Sequence, residues 1–109
     1  MTEPSAILIA TLTCADASEA ERIGRVLVEE RLAACVNFRP HTAIYRWEGK
    51  VEQSAETGML IKTTRAAWPA LAARVRELHS YETPVLLAWA PEAGLPDTLE
   101  WIAASVGAA

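Results

Sequence analysis

Two long segments of alternating and β-branched character, 35–47 and 51–63, flank the short turn Glu48-Gly49-Lys50. A glycine-containing turn between two such runs reads as a β-hairpin. Each arm is about 13 residues long, more than twice the commonest strand length of about 5–6. At about 3.3 Å per residue such an arm spans on the order of 40 Å. A chain of 109 residues folds to a radius of gyration near ~13 Å, so part of the hairpin must overhang its own core. An isolated two-stranded ribbon is marginal in water, and this one carries Ile44, Tyr45 and Trp47 near its tip. The physical resolution is pairing of the arm with a sheet edge of a second copy. The competing arrangement is a bulge at Arg39-Pro40 that folds the arm back, because Pro40 cannot donate to a ladder.

The other elements follow from their patterns. The apolar run Ala6 to Leu12 suits a central strand covered on both faces. Asp16, with Glu19 three positions on, opens a helix over 17–31 with Ala20, Ile23 and Leu27 on its buried stripe. A second helix is expected over 66–79 on Leu71, Val75 and Leu78, with Pro69 tolerated in its first turn. A last strand is expected over 84–90. Pro96 and Asp97, with Glu100 following, open a short final helix docked by Leu99, Ile102 and Val106. The order β-α-β-β-α-β, then α, in one domain over 1–109, is that of an α+β protein. With right-handed crossovers it gives a ferredoxin-like sandwich: an antiparallel sheet with a long β2-β3 hairpin, and an extra C-terminal helix.

Composition narrows the function. The formal net charge is −4, and the basic residues are scattered among acids rather than gathered in a patch, which argues against nucleic-acid binding. No apolar run approaches the length needed to cross about 30 Å of hydrocarbon, and the first residues lack the pattern of a secretory signal. Two cysteines in such a chain do not make a disulfide scaffold. The expected location is the cytoplasm.

Candidate chemistry is sparse. Cys35 stands where the first helix hands over to the long strand and reads either as a small core hydrophobe or as a soft-metal thiolate ligand. Cys14 lies at a strand–helix junction; nothing in the sequence pairs it with Cys35. His79 ends the second helix, where a histidine complements the helix dipole or binds a metal. His41 follows Pro40 on the long strand. Zinc-enzyme spacings, nucleophile elbows and phosphate loops are all missing from the sequence. Glu52, Glu56, Lys62, Tyr81 and Glu82 are polar groups near element ends, placed to line a cleft between subunits or to form ordinary surface pairs.

Four segments carry a resemblance: Leu32-Ala33-Ala34-Cys35-Val36-Asn37, Tyr45-x-Trp47-x-Gly49, Glu56 with Lys62-Thr63, and His79-x-Tyr81-Glu82-x-Pro84. In order and spacing they resemble the CutA family of divalent-cation-tolerance proteins. That resemblance implies a ferredoxin-like fold, a homotrimer built through long strands, and a non-enzymatic role in tolerance of divalent metals such as copper, with no tightly bound cofactor. It further implies Cys35 and His79 as metal ligands, and Tyr45, Trp47, Glu56, Lys62, Tyr81 and Glu82 as interface or cleft residues. Three positions depart from the family pattern. Ser80 replaces a usual proline, Val85 replaces a usual glutamate, and Leu12 stands where some members carry a cysteine, two residues before Cys14. A second reading is a trimeric small-molecule sensor, similar in fold to the PII signalling proteins, in which Lys62, Glu56 and Glu82 matter more than Cys35. An acylphosphatase-like hydrolase would need an anion-cradling loop after the first strand, and Thr13-Cys14-Ala15-Asp16 offers neither glycine nor arginine.

Overall fold

The structure is a computed structural model and describes residues 1–107; the last two residues of the expected 1–109 domain lie outside the described residues. After a single 3-10 turn at Pro4–Ala6, the elements are β1 (Ile7–Cys14), α1 (Ala17–Glu29), β2 (Cys35–Trp47), β3 (Lys50–Thr64), α2 (Trp68–Leu78), β4 (Leu86–Trp89) and α3 (Pro96–Ser105). All strand pairs are antiparallel and the sheet order is β2-β3-β1-β4. Each β-α-β half therefore spans one intervening strand, as expected of the ferredoxin-like sandwich.

α1 starts where its sequence dictates. The Asp16 carboxylate accepts from the Glu19 amide at 2.8 Å, supplying one partner for the unpaired donors of the first turn. The helix stops two residues short of the expected 31, because Arg31 turns into the left-handed region at φ 61°. The amides of Leu32 and Ala33 then both fold back onto the Leu27 carbonyl. α2 is likewise trimmed to 68–78, with Pro69 in its first turn, and β4 is reduced to 86–89. In α3 the expected acidic cap does not form: Leu95 is the N-cap and makes no side-chain bond. Glu100 instead accepts from the backbone amide of Thr2.

One core lies between the sheet and α1 plus α2. It contains Ala10, Leu12 and Cys14 of β1, Met59 and Ile61 of β3, Ala20, Ile23 and Leu27 of α1, and Leu71 and Val75 of α2. Ile7, of opposite parity on β1, is buried separately beneath Leu99 and Ile102 of α3. β1 is central, but the expectation that both its faces are covered is only half met. α3 shields one end of the second face, and Ile9, Thr11 and Thr13 along the rest are half-buried. Their neighbours Leu87 and Trp89 on β4 are 63% and 48% exposed.

The hairpin is as long as the sequence requires. The β2–β3 register runs unbroken from Cys35↔Lys62 to Trp47↔Lys50, whereas β1 reaches only Thr57. Residues 41–47 and 50–56 thus form a two-stranded overhang, and the molecule measures 48 × 26 × 21 Å. The turn has Glu48 and Gly49 both at positive φ, 50° and 79°, the geometry whose twist suits a hairpin. The competing bulge at Arg39-Pro40 is not formed: Pro40 pairs directly with Thr57. β2 is an edge strand, and an edge tolerates proline because half of its amides have no strand to bond. No helix among the described residues is long and apolar enough to cross a membrane.

Candidate functional site

The first group of interest forms where β1 ends, α1 begins and α2 stops. Cys14 is fully buried, Glu19 is 8% exposed and His79 9% exposed, and their donor atoms all lie within 4.8 Å of one another. The Cys14 thiol faces the Met59 thioether at 3.4 Å. Glu19 accepts from the Ala15 amide at 3.0 Å and the Ser80 amide at 2.8 Å, tying the loop after β1 to the loop after α2. Burial alone would raise its carboxyl, but hydrogen bonds from Ser80 and Ala15 outweigh it and hold it below the ordinary carboxylate range. Burial, reinforced by the Glu19 charge, pushes the Cys14 thiol up to about 12, so this thiol carries its proton at neutral pH.

His79 is fixed at both ring nitrogens. Its Nε2 lies 2.7 Å from the Thr13 carbonyl, which only accepts, so Nε2 carries the hydrogen. Nδ1 accepts from the Tyr81 amide at 3.0 Å. The neutral Nε2–H tautomer follows from these two partners.

Tyr81 connects this group to a second one at the base of the overhang. Its ring stands 4.8 Å from that of His79, and its hydroxyl donates to Glu56 at 3.0 Å. The other Glu56 oxygen lies 3.3 Å from His41 Nε2. Burial, then the bond and charge of Glu56, push the Tyr81 phenol up to about 12. Tyr45 is further out, accepting from Ser54 at 3.3 Å, and Trp47 is 45% exposed at the tip. Glu82 is exposed.

The third group is on the less covered sheet face. Cys35 pairs in register with Lys62, which pairs with Ile9 of β1; Lys62 Nζ donates to the Asn37 side chain. Cys35 is a half-buried free thiol.

Of the residues singled out from sequence, the fold thus brings Glu56 and Tyr81 together and leaves Cys35 and His79 apart. Ile9 and Thr13 are four residues apart along β1, about 13 Å, and the two groups face opposite sides of the sheet. Glu19 and Met59, both part of the buried group, were not legible as site residues. The only sequence signal for Glu19 was its position in the first turn of α1, and Met59 had none. His41 was visible, but its link to Glu56 depends on the hairpin register.

The matched relatives accord with this architecture. Residues 8–105 match the family described as CutA1 divalent ion tolerance protein. The chain is 41% identical over 100 residues to the divalent-cation tolerance protein CutA of Thermus thermophilus, covering 91% of this chain and 97% of that protein. It is 43% identical over 100 residues to mouse Protein CutA, again over 91% of this chain but spanning only 56% of the mouse protein. Its fold superposes with a TM-score of 0.90 on the periplasmic divalent cation tolerance protein CutA of Archaeoglobus fulgidus, at 38% identity, covering 93% of this chain and 99% of that one. With matching sequence and a superposing fold over nearly its whole length, this chain belongs to the CutA1 divalent ion tolerance family.

Proposed function

We propose that the chain acts as a homotrimer in tolerance of divalent metals, copper foremost, by binding or responding to the ion without catalysing a reaction. The observation that carries the assembly is the unpartnered apolar surface. Ile44 and Val51 on the overhang are 70% and 66% exposed, and Leu87 and Trp89 lie open on the sheet opposite Thr11 and Ile9 of β1. An overhang and an uncovered face of this kind are stabilised together when copies pair edge to edge. The number three and the metal rest on family membership. The relatives' names speak of tolerance to divalent cations, and no reaction is named in them.

Cys35 and His79 are the proposed ligands. Within one chain they do not share an ion, so each acts at its own place. Cys35 draws its other ligands from a second copy or from water, and His79 binds by giving up a hydrogen bond at Nδ1. The test is metal content of the purified assembly in the wild type and in Cys35→Ser combined with His79→Ala. Loss of metal with assembly retained supports the reading; an unchanged metal content refutes it.

A small-molecule sensor is favoured by a different observation, the His41–Glu56–Tyr81 network at the base of the overhang. That reading makes ligand binding sensitive at Lys62 and indifferent to Cys35. We place the chain in the cytoplasm on its two unbridged cysteines, unlike the archaeal relative described as periplasmic; cell fractionation decides between the compartments.

A further inference from the structure

The buried group at the β1–α1–α2 junction has an arrangement that the packing of a core does not require. Two sulfurs, Cys14 Sγ and Met59 Sδ, approach to 3.4 Å, and the imidazole of His79 is within 4.8 Å of Cys14. Ligand bonds of about 2.0–2.3 Å place neighbouring donor atoms roughly 3.3–4 Å apart around one ion. The sulfur pair already has that spacing, and a ring nitrogen of His79 lies within 4.8 Å of the thiol. His79 also has the outer bond that a ligating histidine usually makes, a ring N–H donated to a backbone carbonyl. Here it is Nε2–H to Thr13, which leaves Nδ1 as the ring atom with the lone pair.

We propose that Cys14, Met59 and His79 form a buried site for a single thiophilic monovalent ion, Cu(I), with Glu19 as an outer anion rather than a ligand. Thiolate and thioether together select cuprous copper over harder ions. The charge balance points the same way. Cu(I) replaces the thiol proton, which leaves to solvent; one S–H bond is exchanged for one S–Cu bond, and no electron moves. The net charge of a group shut away from water is unchanged, whereas a divalent ion would add one uncompensated charge there. Glu19 keeps both its amide partners throughout. The thiol's bond to Met59 and the Tyr81 amide's bond to Nδ1 are released, and the irregular segment between α2 and β4, where Ser80 and Glu82 are exposed, is the route of entry.

This inference rests on the metal-binding reading but moves the centre away from Cys35. The test is anaerobic titration of the full chain with Cu(I) against a competing cuprous chelator, with copper X-ray absorption on the loaded wild type. One ion per chain is expected, retained by Cys35→Ser, lost in Cys14→Ala and weakened at least about tenfold in Met59→Leu. Two sulfurs and one nitrogen are expected around copper. Copper bound as tightly in both Cys14→Ala and Met59→Leu, or a copper with a single sulfur, overturns the site. Loss confined to Cys35→Ser overturns it while leaving the metal reading standing; no copper uptake at all overturns both.

Discussion

Glu19→Gln is the substitution whose consequences are most fully set by the geometry. The carboxylate is 8% exposed and accepts two amides from two different loops, Ala15 on one side and Ser80 on the other. Glutamine has nearly the same shape but offers one oxygen and one N–H₂. One amide, whichever it is, then faces a donor instead of an acceptor. A buried amide left without its partner costs about 1–3 kcal/mol, towards the upper end where the lost acceptor was charged. The expected destabilisation is therefore about 2 kcal/mol at neutral pH, on the order of 10 °C in melting temperature for a domain of this size. The pH dependence has a definite sign. Glu19 is held below its ordinary range in the folded chain, so the unfolded chain binds the proton more readily. Its contribution is present above the unfolded-state pKa of about 4.3 and is lost as pH falls through the folded value. Urea unfolding of both proteins at equal protein concentration, at neutral pH and in stepwise acid, measures this directly. The gap between them should close in acid, where the wild-type side chain is itself neutral. A gap below about 0.5 kcal/mol at neutral pH, or one that persists undiminished in acid, would refute the claim that the carboxylate joins the two loops.

Other expectations follow from single contacts. Leu27→Ala empties a fully buried position on α1 and should cost about 2–5 kcal/mol, read by chemical denaturation. Gly49→Ala puts a side chain at φ 79° and should cost about 1 kcal/mol, whereas Glu48→Asn, better suited to φ 50°, should stabilise by a few tenths; thermal melts of the two variants should move in opposite directions. Tyr81 should ionise with a midpoint near pH 12, well above an ordinary phenol, and ultraviolet titration of Tyr45→Phe, which leaves it as the sole tyrosine, shows whether it does.

The fold was largely legible because its signals are local. The capping aspartate of α1, the stripes of Ala20, Ile23 and Leu27, and the Glu48-Gly49 turn each fix a nearby stretch of backbone, and the overhang followed from arm length alone. What misled was edge context. Pro40 reads as a bulge until β2 is known to be an edge, and the apolar run of β1 reads as covered on both sides when α1 and α2 sit on one and α3 reaches only an end of the other. The site was less legible because it is assembled across the sheet. Cys14, Met59 and His79 come from three elements, and no spacing in the sequence announces their meeting. Residues within and just before the segments that carried the family resemblance prove to be ties of the fold. Arg31 clamps the end of α3 through the carbonyls of Ala104 and Gly107 at 3.0 and 2.7 Å. The Thr63 hydroxyl, fully buried, donates to the Leu32 carbonyl at 2.6 Å.

Native mass spectrometry of the purified chain, with and without copper, tests the central claim most directly. The account predicts a trimer that gains a fixed number of copper ions for each chain. A monomer under both conditions, or a trimer that takes up no more copper than an unrelated protein, would contradict it.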